Sequence, residues 1–228
     1  MSLAHSPSIV TNGLVLCLDA GNIKSYPGSG TTWNDLSGGG NTGTLVNGVG
    51  YNSGNGGSLS FDGTDDYARL NPLPQSMNVS FSVFTWVKLN AVADIYGIWG
   101  HNDPTNAVSC HFEVRSTGMR VRLGNVDRLC PQLVTNQWKY IGFTTDVNNH
   151  YYYVDGLLID SWTGNKGSIL GDGTLFKHSF GASRAESTDS APSRSFNGTI
   201  SVSSIYNRAL TASEIQQNFN ALKGRFGL

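Results

Sequence analysis

Short apolar runs recur at roughly ten-residue intervals along the chain, the spacing expected of an all-β fold. Glycine, asparagine, aspartate or serine separates them. The runs GLVLCLDA (13–20), GSLSFDG (57–63), YARL (67–70), FSVFTWVKL (81–89), YGIWG (96–100), AVSCHFEVR (107–115) and MRVRLG (119–124) read as strands. So do WKYIGFTTD (138–146), HYYYVDGLLIDSW (150–162), LFKHSFG (175–181) and FNGTISVSSIYN (196–207). In FSVFTWVKL, Phe81, Val83, Thr85, Val87 and Leu89 face one side, and Phe84 and Trp86 face the other. Large residues on both faces predict a central strand. Ser116-Thr117-Gly118 and Asp155-Gly156 lie between apolar runs and predict tight hairpins, the second of type I′. With no helix between the strands, an antiparallel sandwich or barrel follows. Residues 21–58 read as loop-heavy, with YPGSGTTWNDLSGGGNTG a long surface excursion, residues 182–195 as an exposed loop, and GIWGHNDPTN (97–106) as a loop carrying Trp99.

The pattern changes once. Thr211-Ala-Ser-Glu214 fits a capping box, with Leu210 and Ile215 placed as a hydrophobic staple. Ile215, Phe219 and Leu222 fall on one face of a short helix, and Gly224 reads as its stop. That apolar face needs something to dock on. Closure of one open end of the sandwich is the simplest expectation.

Composition agrees and narrows the function. Glycine occurs 28 times, only 14% of residues are charged, and the formal net charge is −1. A typical domain has about 25% charged residues. No Lys/Arg run is long enough for a phosphate-binding patch, so nucleic acid is not an expected partner. No apolar stretch reaches the ~20 residues of a membrane span. MSLAHSPSIVTNGLVLCLDA lacks a basic n-region, and no signal peptide is expected there. Of the three cysteines, Cys17 reads as a buried hydrophobe. Cys110 and Cys130 can pair, but free thiols are the expectation without secretion.

FNGTISVSSIYNRALTASEIQQNFNAL resembles the final segment of LamG-like domains of the concanavalin A-like superfamily. LSFDGTDDYARL, FSVFTWVKLN and QWKYIGFTTDVNNHYYYVDGLLI resemble further family motifs, in order, across most of residues 13–222. The resemblance implies one antiparallel two-sheet jelly-roll domain over residues 1–228, core about 13–222, with one short C-terminal helix. Many members carry Asp-Glu-Val where this chain has Ser201, Val202 and Ser203, so any role of that acidic pair is in doubt. The two ends, HSPSIVTNGLVLCLDAGNIKSYPGSGTTWNDLSG and LKGRFGL, resemble LamG-like structural proteins of marine tailed phages. That likeness implies a non-enzymatic virion protein, a capsid decoration or a tail or fibre component. Its partners would be other virion proteins, in a homo-oligomer or multi-copy assembly. The alternative is a carbohydrate-binding module for a cell-surface glycan.

The superfamily includes β-glucanases, and a glycosidase needs two carboxylates at defined separation. Glu113 in CHFEVR is the only strand glutamate, with no acidic residue at 111 or 115, so no enzyme is expected. The five histidines show no metal-ligand spacing, and Gly38–Gly43 matches a dinucleotide fingerprint without the following helix. Two weaker sites remain. Trp99, His101, Asn102 and Asp103 are candidates for sugar binding, weighed against a core Trp99 and a polar turn. Asp62, Asp65 and Asp66 are candidates for calcium, weighed against a tight turn in which aspartate caps its own backbone. No cofactor is otherwise expected.

Overall fold

The computed structural model describes residues 7–71, 73, 77, 79–92, 95–102, 109–167, 178–184 and 193–228. The strands are β1 Leu14–Asp19, β2 Thr32–Trp33, β3 Gly43–Val46, β4 Gly50–Asn52, β5 Ser58–Asp62, β6 Tyr67–Leu70, β7 Phe81–Leu89, β8 Ile95–Asn102 and β9 Ser109–Arg115. They continue as β10 Gly118–Leu123, β11 Val126–Cys130, β12 Trp138–Thr145, β13 Asn149–Val154, β14 Leu157–Thr163, β15 Ser179–Phe180, β16 Ala182–Arg184, β17 Ser193–Ser195 and β18 Asn197–Tyr206. The helix α1 is Ala212–Leu222, followed by a 3₁₀ turn at Lys223–Phe226.

Among the described residues these strands form two antiparallel sheets. The first runs β14-β13-β12-β7-β18-β5-β4, with β1 also on β18; the second runs β11-β10-β9-β8-β15-β6-β3-β2. The fold is the two-sheet sandwich that the periodicity and the family likeness imply. Strand β18 pairs with β7 along one side and is shared on the other, its first half by β5 and its second by β1. Strand β7 is central, as its two-sided pattern requires. Phe81, Val83, Val87 and Leu89 enter the core between the sheets, where they meet Trp99, Phe112 and Phe143. Phe84 and Trp86 point to the outer face of the first sheet.

That outer face, not an open end of the sandwich, is where α1 docks. Ile215 packs there with Phe84, Trp86, Tyr140, Tyr153 and Tyr206, and Phe219 stacks on Trp86 at 5.7 Å. Phe226 in the 3₁₀ turn lies closer, at 4.1 Å from the Trp86 ring. Two large rings on the far side of a central strand leave an apolar surface, and docking the helix there removes it from water. The start of α1 is the predicted capping box: Thr211 Oγ1 accepts from the Glu214 amide at 3.3 Å, and Glu214 Oε2 accepts from the Thr211 amide at 2.9 Å. Gly224 does not end the helix. The chain tightens through Lys223–Phe226 and stops at Gly227, whose φ of 75° is left-handed.

Asp155 and Gly156 both have positive φ, 51° and 79°, which is the type I′ turn expected between β13 and β14. Three loop expectations are refined or corrected. Residues 21–58 are loop-heavy as expected, but also contribute the short strands β2, β3 and β4, of which β2 and β4 are sheet edges. Residues 182–184 and 193–195 pair as a small hairpin. Residues 97–102 belong to β8, paired with β9, and not to a loop. Cys17, Cys110 and Cys130 are buried free thiols, and burial raises each thiol pKa. No helix among the described residues is long and apolar enough to cross a membrane.

Candidate functional site

The outer face of the second sheet carries a cluster of linked charges, centred on Glu113. Alternation along β9 sends Cys110, Phe112 and Val114 into the core, so His111, Glu113 and Arg115 point outward. On β10, Met119, Val121 and Leu123 point in, and Arg120 and Arg122 point out. Asp127 of β11 stands opposite Arg122, and Leu129 opposite Arg120.

The β16–β17 hairpin lies across this face. It approaches so closely that a Cβ on Gly97 would sit 2.0 Å from the Ser183 nitrogen, and one on Gly100 2.9 Å from the Ser183 carbonyl oxygen. Under the hairpin Glu113 is completely buried. Its Oε1 accepts from Ser183 Oγ at 2.6 Å and from the Arg194 guanidinium. Its Oε2 accepts from Arg120 Nη1 at 3.2 Å and Arg115 Nη2 at 3.4 Å. Arg194 reaches it from a left-handed backbone, φ 67°, a conformation that costs a non-glycine residue of order 1 kcal/mol or more. Burial alone would raise the Glu113 pKa. The Ser183 hydroxyl, His111 and Arg194 outweigh it and hold the carboxyl at about 2. Asp127 is also lowered, chiefly by its hydrogen bond from Arg120.

Glu113 and Asp127 are not arranged as the acid and base of a glycosidase at this face. A glycosidase keeps one carboxylic acid protonated near working pH, usually by raising its pKa. Here both carboxylates are held ionised and tied to one guanidinium, Arg120, between them. Glu113 instead pins the hairpin to the sheet. Around it Arg115, Thr117, Arg120, Asp127 and Leu129 line an open groove on three adjacent strands. Guanidinium groups at such a groove can donate to sugar hydroxyls or carboxylates.

Of the sugar-binding set read from sequence, Trp99 takes the alternative weighed against it, a core residue. Trp99 is fully buried in the core, stacked on His178 at 5.3 Å and tilted against Phe81 and Phe143. A ring with no exposed face cannot stack on a sugar. The cause is a bulge in β8 between Gly97 and Trp99, which turns both Ile98 and Trp99 inward. Asp103 and the side chains of His101 and Asn102 lie outside the described residues.

The acidic set is brought together. One carboxylate oxygen from each of Asp62, Asp65 and Asp66 lies within 4.8 Å of the others. Asp62 Oδ1 accepts from the Thr64 amide at 2.7 Å, and Asp66 Oδ2 from the Asp62 amide at 3.1 Å, so the aspartate turn is also present. Asp66 is 4% exposed, and its Oδ1 has no hydrogen-bond partner among the described residues. Burial raises its pKa, and the charges of Asp62 and Asp65 add to the rise. A buried carboxylate oxygen without a donor, beside two more carboxylates, fits a hard cation such as calcium. Asp62 and Asp66 also line a groove with Ser60, Asn90 and Asn197.

The laminin G family model, described as the concanavalin A-like lectin/glucanases superfamily, matches residues 62–216, well over half of the chain. Among curated proteins, no sequence matches it. Among solved structures, Trypanosoma rangeli sialidase bound to 2,3-difluoro-KDN superposes with a TM-score of 0.69 at 18% identity. That match covers 99% of this chain but 36% of the sialidase, so the chain spans about a third of that protein's length. Domain 4 of AbnA, an extracellular arabinanase of Geobacillus stearothermophilus solved with arabinotriose, gives a TM-score of 0.64 at 19% identity. It covers 90% of this chain and 97% of that domain. The binding domain of Paraclostridial Mosquitocidal Protein 1 gives 0.67 at 17% identity, covering 92% and 52%. These likenesses establish the sandwich fold.

A carboxyl whose folded pKa is depressed adds stability that is complete above its ordinary value and lost as pH falls through the folded value. For Glu113 that window runs from 4.5 down to about 2. Glu113→Gln is expected to lose about 3 kcal/mol at neutral pH, the scale of breaking a buried charge pair. Its urea midpoint should then converge on that of the unmodified protein toward the acid end of the window. Parallel curves across that range would show that Glu113 does not anchor the hairpin.

Proposed function

Because the chain belongs to the concanavalin A-like lectin/glucanases superfamily, we propose that it is a non-enzymatic glycan-binding module. The contact surface is the outer face of the second sheet, at the groove between Arg115 and Arg120. One observation carries this reading. A rigid, strand-mounted groove presents guanidinium donors, while the adjoining carboxylates are locked as ion-pair partners and not poised for proton transfer. The sialidase and arabinanase neighbours were solved with sugar ligands, which supports the class of ligand.

A finer reading places the module on a tailed-phage particle, as a capsid decoration or a tail or fibre component among other copies and other virion proteins. The resemblance to phage structural proteins that the two ends carry in sequence motivates it. So does an apolar edge: β14, the last strand of the first sheet, leaves Leu157, Leu158 and Ile159 at 62%, 52% and 41% exposure. Calcium at Asp62, Asp65 and Asp66 belongs to the same proposal. Those carboxylates would hold the ion and thereby stiffen the β5–β6 turn beside the Asn90–Asn197 groove.

Three outcomes are expected. In a titration of immobilised glycans, one class binds, and Arg115→Ala weakens it about ten-fold, the loss of one charge-assisted hydrogen bond. Equal binding by that variant, or no binding to any glycan, would refute the groove. Calcium raises the melting temperature of the unmodified protein but not of Asp66→Asn, which without calcium is no less stable; an identical calcium response in both would remove the ion from this site. Quantitative mass spectrometry of purified phage particles finds the chain at a fixed copy number, and its absence would end the virion reading.

A further inference from the structure

The arginines on the outer face of the second sheet differ in how much of their hydrogen-bonding capacity is used. Arg120 is committed. Its Nε and Nη2 hold Asp127 as a fork, and its Nη1 donates to Glu113 Oε2. Arg194 is spent on Glu113 from the hairpin above. Arg115 and Arg122 have capacity to spare. Among the described residues Arg115 has one acceptor, Glu113 Oε2 at the long distance of 3.4 Å, and its buried Nε has none. Arg122 stands opposite Asp127, whose carboxylate Arg120 already holds, and forms no ion pair among the described residues. A guanidinium only donates and does not shed its charge, so spare N–H groups call for oxygen from outside.

The charge balance points the same way. Arg115, Arg120, Arg122 and Arg194 face Glu113 and Asp127. The described patch is therefore positive on a chain whose formal net charge is −1. Arg120 and Arg122 are two positions apart on β10, about 7 Å along the strand. Arg115 flanks Arg120 on the other side, from β9, and all three stand on paired strands. The groove lined by Arg115, Thr117, Arg120, Asp127 and Leu129 holds about 260 Å³. Drug-sized pockets run to about 300–1,000 Å³, so this one takes a single sugar residue or a chain end. Leu129, 50% exposed, offers an apolar wall to the C–H face of a ring. Asp127 also lines the groove, but the Arg120 fork takes up its charge.

We infer that this groove selects acidic glycans: the sugar residue it holds carries a carboxylate or a sulfate, set against the Arg115 guanidinium. The inference rests on the glycan-binding reading above and adds the charge of the sugar. An anionic oxygen accepts a charge-assisted hydrogen bond, roughly twice as strong as one to a neutral hydroxyl. Arg122 lies outside the lining and acts through its field, which favours an anion and is indifferent to a neutral ring. Such attraction is screened by salt.

The test titrates matched sugars into the protein by calorimetry: polygalacturonate and its methyl ester, a sialylated oligosaccharide and its asialo form, a sulfated oligosaccharide and its desulfated form. At least one acidic member is expected to bind about ten-fold more tightly than its uncharged counterpart, and to weaken as sodium chloride is raised. Arg122→Gln is expected to weaken that acidic member about three-fold and to leave the counterpart unchanged. Uncharged members that bind as tightly as acidic ones overturn this inference and leave glycan binding standing. If no member of any pair binds, both readings fall. A single-stranded DNA oligomer bound as tightly as the acidic sugar marks a general polyanion patch and overturns the selection of a sugar. A folded Arg122→Gln variant with full affinity for the acidic member overturns the inference as well.

Discussion

The structure depends on strand β7 being apolar on both faces. One side, Phe81, Val83, Val87 and Leu89, builds the interior between the sheets. The other side, Phe84 and Trp86, would face water in a plain two-layer sandwich, so a third layer is obligatory. Each large ring left exposed would forfeit roughly 1.5–3 kcal/mol of burial. The helix, the 3₁₀ turn and Val10 meet that demand. Once α1 and the turn are fixed there, Arg225 is carried to the end of β1, and Tyr206 and Asn218 bond in the same buried layer at 3.0 Å.

The strands with strong period-two patterns were legible in the sequence: β7, β12, β13, β14, β18, the type I′ turn and the capping box all fall where alternation and turn chemistry put them. Short strands were not. β2, β3 and β4 have too few residues to show a period. β11, Val126–Cys130, reads as V-D-R-L-C, and its edge position leaves its middle residues exposed with no apolar face to detect. The docking place of α1 was misread because a helix pattern shows that a face is apolar, not which partner covers it.

The candidate site was legible only in part. Asp62, Asp65 and Asp66 lie close in sequence, and a tight turn keeps them close in space. Glu113 was noticed as a lone strand glutamate, yet its partners Ser183 and Arg194 come from a hairpin 70 and 81 residues away, and nothing local announces them. Within the segment 182–195, read as a loop, the small residue Ser183 lets β16 pass close over Gly97 and Gly100. Trp99 was read two ways, as a core residue or a displayed loop aromatic, and burial settles it as core. A bulge, which local sequence does not reveal, turns it inward.

The position of β18 has a consequence for synthesis. It lies in the middle of the first sheet, yet its residues, Asn197–Tyr206, follow every other strand in the chain. Among the described strands β1 pairs with β18 alone, and the Val10 amide is bonded to Asn218 across 208 positions at 2.8 Å. A nascent chain therefore leaves the ribosome with β7 and β5 each open on the side that faces the gap, and with β1 lacking its strand partner, until β18 arrives. Long-range closure of this kind folds slowly, and open strand edges invite pairing with neighbouring chains. Where many copies are made together, that interval of exposure is when misassembly and productive folding compete.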